Sequence, residues 1–156
     1  MKLLLSLFLI INFSLNASNL IKTSSGSVNG VVKNKVIYWE DIPYALPPVG
    51  NLRWKAPREF TNVDAIIESQ DNNFCIQKTS SLGGSSQFSS ESVSGQEDCL
   101  YLDIFAPKKI RDKPIPVMFW IHGGGNTSGL KDLYDFSKMV KKHNIIIVRI
   151  NYRLGP

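Results

Sequence analysis

Three consecutive glycines, Gly123, Gly124 and Gly125, follow His122 at the end of the apolar run Val117-Met118-Phe119-Trp120-Ile121. Consecutive glycines adopt backbone angles closed to other residues, and without a Cβ their main-chain N–H groups approach a ligand closely. Two such donors converging on one point would stabilise the negative oxygen of a tetrahedral acyl-transfer intermediate. Losing one donor typically costs about 10²–10³ in rate. A Gly-rich turn that merely starts a helix is the blander reading. A phosphate cradle lacks its motif, since neither G-x-x-x-x-G-K-[ST] nor G-x-G-x-x-G occurs in the chain.

Such a loop needs a strand to carry it, because ligands of open parallel sheets bind at the carboxyl ends of the strands. Val117–Ile121 is almost wholly apolar, as expected of a strand buried on both faces. Lys131 to His143 places Leu133, Phe136, Met139 and Val140 at helical spacing. Ile145–Ile150 reads as another buried strand. Strand, glycine loop, helix and strand make a βαβ unit with parallel strands. Upstream, Val28–Val32 and Lys35–Trp39 predict a hairpin about Lys33-Asn34. The proline-rich stretch around Pro43, Pro47 and Pro48 excludes a helix, and Leu100–Phe105 is a strand stopped by Pro107.

The 156 residues, 43% of them hydrophobic, fit one globular domain at most. The net charge of +5 is scattered. Its densest cluster, Lys138, Lys141 and Lys142, lies where cations complement a helix dipole, and no basic stripe with interleaved aromatics suggests a nucleic acid. Lys2, the apolar stretch Leu3–Phe13 and Ala17 have the pattern of a signal peptide over residues 1–17, with an uncleaved anchor as the other reading. The run is too short for a comfortable membrane span, so no stable membrane anchor is expected and the destination is secreted or periplasmic. In an oxidising compartment the isolated pair Cys75 and Cys99 normally forms a disulfide, worth roughly 3 kcal/mol in the chain-entropy model; two free thiols are the alternative. No histidine stands near them to complete a zinc site, and nothing implies a metal or cofactor. Ser80–Gly95, rich in Ser and Gly, reads as a mobile loop within the cysteine bracket.

Four blocks carry a more specific signal. Ile42-Pro43-Tyr44-Ala45-Leu46-Pro47-Pro48-Val49-Gly50-Asn51-Leu52-Arg53-Trp54, then Glu97-Asp98-Cys99-Leu100-Tyr101-Leu102-Asp103-Ile104, then Trp120-Ile121-His122-Gly123-Gly124-Gly125, and finally Asn151-Tyr152-Arg153-Leu154-Gly155 occur in that order. Together they resemble the type-B carboxylesterase/cholinesterase family of α/β-hydrolases over nearly all of Val28–Pro156. The resemblance implies an α/β fold: the N-terminal part of an α/β-hydrolase sheet, spanning residues 18–156, in which an antiparallel hairpin leads into parallel strands with a crossover helix. It implies a serine hydrolase acting on small-molecule carboxylic esters, with Gly124 and Gly125 supplying oxyanion-hole amides and Gly123 and His122 shaping the loop. It also pairs Cys75 with Cys99 and Arg53 with Glu97, the latter as a structural salt bridge.

Two departures from the family pattern stand out. Asn126 replaces the apolar or aromatic residue usual after the glycines, and the Cys75–Cys99 segment lacks the tryptophan that cholinesterases use for quaternary ammonium groups, so choline esters are poor candidates. The nucleophile elbow G-x-S-x-G occurs nowhere. In the family the serine, acid and histidine all follow the block at Asn151, and the serine's strand lies beside the Val117–Ile121 strand. The expectation is therefore an N-terminal segment that holds the oxyanion loop but no catalytic triad, and that is marginally stable and inactive by itself. A non-catalytic cholinesterase-like adhesion module and a non-functional fragment are the competing readings.

Overall fold

The computed structural model describes residues 19–80, 92–109 and 114–155. The residues assigned to the signal peptide lie outside them, as does most of the Ser-rich loop. In chain order the strands are β1 (Leu20–Thr23), β2 (Gly26–Asn29), β3 (Val31–Lys33), β4 (Val36–Pro43), β5 (Ile66–Ile67), β6 (Gln77–Lys78), β7 (Val93–Ser94), β8 (Tyr101–Pro107), β9 (Val117–Ile121) and β10 (Ile146–Ile150), with one α-helix, α1 (Ser137–His143). The main sheet has the order β3-β4-β8-β10-β9, while β1, β2 and β5 form a second sheet and β6 pairs with β7. Within the main sheet only β10 and β9 are parallel, as a crossover through α1 requires. This is the α/β arrangement expected from the sequence.

The hairpin is offset from its expected bounds. Val28 belongs to β2 and pairs with β1, and the chain breaks at Gly30, where an added Cβ would lie 2.4 Å from Ile37 Cγ2. The turn falls on Asn34 and Lys35, whose φ angles of 51° and 67° are the two positive values of a type I′ hairpin turn.

The expected helix over Lys131–His143 forms only in its second half. Lys131–Leu133 is a single 3-10 turn, Tyr134 is extended, and α1 starts at Ser137. Helical spacing lost to tertiary bonding there: the Lys131 side chain turns inward to buried carboxylates, and the Asp135 carboxylate accepts the Ser137 N–H at 2.9 Å. Asn144, left-handed at φ 53°, then ends the helix.

One core layer joins Val36, Phe105 and Ile147 to Val140 of α1; a second, on Val28, Ile37, Trp39, Ile42 and Ala106, is packed by Ile21 and Ile67 of the small sheet. Neither layer covers all of β9. Val117, Phe119 and Ile121 are 61%, 56% and 60% exposed, which corrects the expectation of a strand buried on both faces. In β10 burial likewise alternates, with Ile147 and Arg149 inside and Ile146, Val148 and Ile150 half-buried. The reason is position: among the described residues β9 is an edge strand, and its three outward residues lie on the face of Ile146, Val148 and Ile150, where the layer that packs Ile146 leaves them largely uncovered. An apolar edge with unpaired backbone groups templates association. The 156-residue chain alone is therefore expected to elute as self-associated species in size exclusion with light scattering, and Phe119→Lys to shift it toward monomer. Monomeric wild type would contradict this.

Candidate active site

The glycine loop leaves β9 at its carboxyl end, and the direction of its peptide groups follows from which carbonyls are occupied. Gly123 O receives a hydrogen bond from His122 Nδ1 at 2.8 Å. Since a carbonyl only accepts, Nδ1 carries the proton. Gly124 O accepts from Thr127 N at 3.1 Å, Ser128 N at 3.2 Å and Thr127 Oγ1 at 3.1 Å. The chain has no cis peptide among the described residues, and a trans peptide points its N–H opposite to its C=O. The N–H groups of Gly124 and Gly125 are thus aimed away from the loop's own hydrogen bonds, and among the described residues they meet no protein acceptor.

Positive φ at Gly124 (109°), Gly125 (62°) and Asn126 (61°) makes this path possible. Asn tolerates the left-handed region better than an apolar residue would, a local reason for Asn126 at this point. Asn126 also lines an open cavity of about 430 Å³ together with Tyr44, Trp54, Tyr152 and Leu154.

Contacts at three points hold the loop from behind. His122 is 3% exposed and stacks on Tyr152 at 4.3 Å, while Tyr152 Oη donates to His122 O at 2.8 Å. Burial lowers the His122 pKa below the usual imidazole range, against the opposing hydrogen bond to Gly123, so the ring is neutral at neutral pH. At the loop's exit the Gln77 side chain brackets Gly129, accepting from its N–H at 2.8 Å and donating to its carbonyl at 2.9 Å. Beyond that, Lys131 N donates to Asn151 Oδ1 at 2.7 Å, and Tyr44 Oη donates to Asn151 O at 2.7 Å.

Beneath these contacts lies a buried ionic network. Lys131 Nζ stands 2.8 Å from Asp41 Oδ1 and 3.0 Å from Asp103 Oδ2, with both side chains of each pair at most 4% exposed. Arg149 Nε bonds Asp103 Oδ2 at 2.7 Å, and its Nη2 bonds Asp132 at 2.5 Å. Arg149 and Asp103 are register partners on β10 and β8. Asp41 enters through an irregularity of β4 between Trp39 and Ile42, where its φ is 61° and its N–H donates to Asp103 Oδ1 at 2.8 Å. Burial pushes the Asp41 carboxyl up, but the Lys131 charge and hydrogen bonds from Lys131, Gln70 and Ser69 bring it below the usual carboxylate range. Burial raises Asp103 in spite of Lys131 and Arg149; every group around its oxygens is a donor, so it is the ionised carboxylate that this geometry accommodates.

Cys75 and Cys99 form a disulfide. Arg53 and Glu97 form a two-pronged pair, with Nη2–Oε2 at 2.7 Å, but the side chains are 56% and 32% exposed, and water screens such a contact. The structure therefore brings His122, Gly123, Gly124 and Gly125 into one turn, and the Arg53–Glu97 pair lies outside that turn, in a neighbouring cavity that shares Trp54, Leu154 and Gly155 with the one beside Asn126. Sequence reasoning gave Gln77 and the Asp41–Lys131–Asp103–Arg149 network no role, and it placed Asn151 and Tyr152 in a family block without their contacts to the loop. One signal was available: Asp103 and Arg149 each interrupt an otherwise apolar strand. No group of His, Cys, Asp and Glu suited to a metal occurs among the described residues.

A strand-borne glycine loop with two outward amides, beside a parallel β-α-β crossover, is the N-terminal architecture of an α/β-hydrolase. Residues 17–156 match the carboxylesterase family, and the chain belongs to that family. It is 39% identical over 140 residues to the para-nitrobenzyl esterase of Bacillus subtilis, covering 88% of this chain and 28% of that protein. It is 40% identical over 144 residues to the juvenile hormone esterase of Tribolium castaneum, covering 87% of this chain and 23% of that one. A solved structure of a thermophilic PNB esterase superposes with a TM-score of 0.75 at 38% identity, over 88% of this chain and 28% of its own. The chain thus spans about a quarter of the length of these relatives.

Proposed function

We propose that this chain supplies the oxyanion-stabilising part of a serine carboxylic-ester hydrolase. The N–H groups of Gly124 and Gly125 receive the carbonyl oxygen of a small-molecule ester as it gains negative charge, and His122 and Gly123 shape the turn that aims them. The observation that supports this reading most is that among the described residues both amides meet no protein acceptor, while the carbonyls beside them accept hydrogen bonds within the loop. Fixed donors of this kind cost no reorganisation at the moment of reaction. The cavity beside Asn126 is the natural place for the ester's substituents.

These 156 residues hold no G-x-S-x-G, so in this reading the nucleophile, acid and general base are residues outside them, and the match to 28% of the Bacillus enzyme supports this. No cofactor or metal takes part. Residues 1–17 direct export, residues 18–156 belong to the hydrolase domain, and the disulfide fits an oxidising compartment.

A chimera tests the proposal: residues 19–155 of this chain replace the matching segment of the para-nitrobenzyl esterase. The chimera is expected to hydrolyse p-nitrophenyl esters, and the 156-residue chain alone is not. A folded chimera without turnover contradicts the reading.

A further inference from the structure

Gln77 lies on β6, two residues after Cys75, and its side chain is 4% exposed. It reaches across 52 residues of sequence to Gly129. Its Oε1 accepts Gly129 N–H at 2.8 Å, while its Nε2 donates to Gly129 O at 2.9 Å and to Cys75 O at 3.1 Å. The backbone N–H can only donate and the two carbonyls can only accept, so the orientation of the amide is fixed by its partners.

Gly129 in turn presses on the start of the loop. At φ 121°, a Cβ on Gly129 would sit 2.3 Å from His122 Nδ1 and 2.6 Å from Gly123 O. Those two atoms form the hydrogen bond that turns the Gly124 N–H outward. Gly129 is therefore held between the Gln77 amide on one side and the His122 ring on the other, and the exit of the loop is closed against its entry.

We infer that Gln77 is a positioning residue for the oxyanion loop: by clamping Gly129 against His122 it sets the peptide plane from which the Gly124 N–H projects. The inference rests on the oxyanion reading of that loop. A merely structural Gln77 satisfies the buried polar groups of Gly129 and affects stability alone. A positioning Gln77 affects the transition state, because misplacing a donor by about 1 Å can cost about 10²-fold in rate.

The test has two readouts. In the chimera, Gln77→Ala is expected to lower kcat by about 10²-fold with KM nearly unchanged, as befits a loss felt in the transition state and not in ground-state binding. Gln77→Glu, of the same shape, keeps the acceptor for Gly129 N–H but turns a carboxylate toward the Gly129 and Cys75 carbonyls; it is expected to lower kcat as well, and it carries the test if the alanine variant does not fold. In the same chimera, amide hydrogen exchange is expected to show Gly129 protected, and Gln77→Ala to remove that protection while β10 stays protected. Unchanged kcat in a variant that is merely less thermostable overturns the inference, as does an unprotected Gly129 in the wild type. If Gly124→Ala abolishes turnover while the Gln77 variants do not, only the positioning role fails. If Gly124→Ala leaves turnover intact, the oxyanion reading and this inference fall together.

Discussion

Replacing Gly124 by alanine in the chimera is expected to cut ester turnover by about 10²–10³, the cost of losing an oxyanion donor. The three glycines differ sharply in what a methyl group would meet. At Gly124 the added Cβ would lie 1.9 Å from Ser128 O, a backbone atom that cannot swing away, and φ is 109°. The turn must open, rotating the peptide that directs the Gly125 N–H and detaching Gly124 O from Thr127 and Ser128. At Gly125 nothing lies within 4 Å and φ is 62°, so alanine incurs only the left-handed backbone penalty of about 1–2 kcal/mol and keeps the amide roughly in place. Gly123 has neither a near neighbour nor a positive φ. Activity should therefore fall in the order Gly124→Ala, Gly125→Ala, Gly123→Ala, with the last close to wild type. Equal losses at all three would mean that overall loop flexibility matters and amide direction does not.

Lys131→Ala is expected to destabilise the fold by about 3–5 kcal/mol, because removing one partner of a buried ion pair strands the others. Asp41 and Asp103 would keep their burial, and Asp103 would retain Arg149 alone among its charged neighbours within the network core. Denaturant unfolding of the chimera measures the loss. Adding Asp41→Asn to Lys131→Ala should recover part of it by removing a stranded charge; a single variant as stable as wild type would show that the network contributes little.

The pH dependence has definite signs. Asp41 is more acidic folded than unfolded, so its contribution is complete above the ordinary carboxylate range and is lost as pH falls through the folded value. Burial opposes the Lys131 charge, but Asp103, Asp132 and Asp41 outweigh it and raise its pKa. Its contribution is complete below the free-lysine range and lost as pH rises through the folded value. Asp103 and Glu40, both raised chiefly by burial, act the other way and subtract stability as they ionise.

What the sequence disclosed, and what it hid, follows from the range of the interactions. The β8, β9 and β10 strands are local apolar runs, and the glycine loop is a contiguous motif, so each could be read in place. The helix boundary could not be. Leu133 and Phe136 fit the period of α1, yet Lys131 is drawn into carboxylates on β4 and β8, and that tertiary pull decides the backbone. The exposure of Phe119 was missed for a related reason: an apolar strand reads as buried whether or not its neighbours are present. Gln77 was invisible because a lone glutamine has no motif, and its partner lies 52 residues away.

The most direct test of the oxyanion assignment is a structure of the chimera whose serine has been trapped by an alkylphosphonate ester, a charged tetrahedral mimic of the acyl-transfer intermediate. The phosphonyl oxygen is expected about 2.7–3.1 Å from both the Gly124 and Gly125 nitrogens. A phosphonyl oxygen facing solvent, with those two amides bonded inside their own turn, would contradict it.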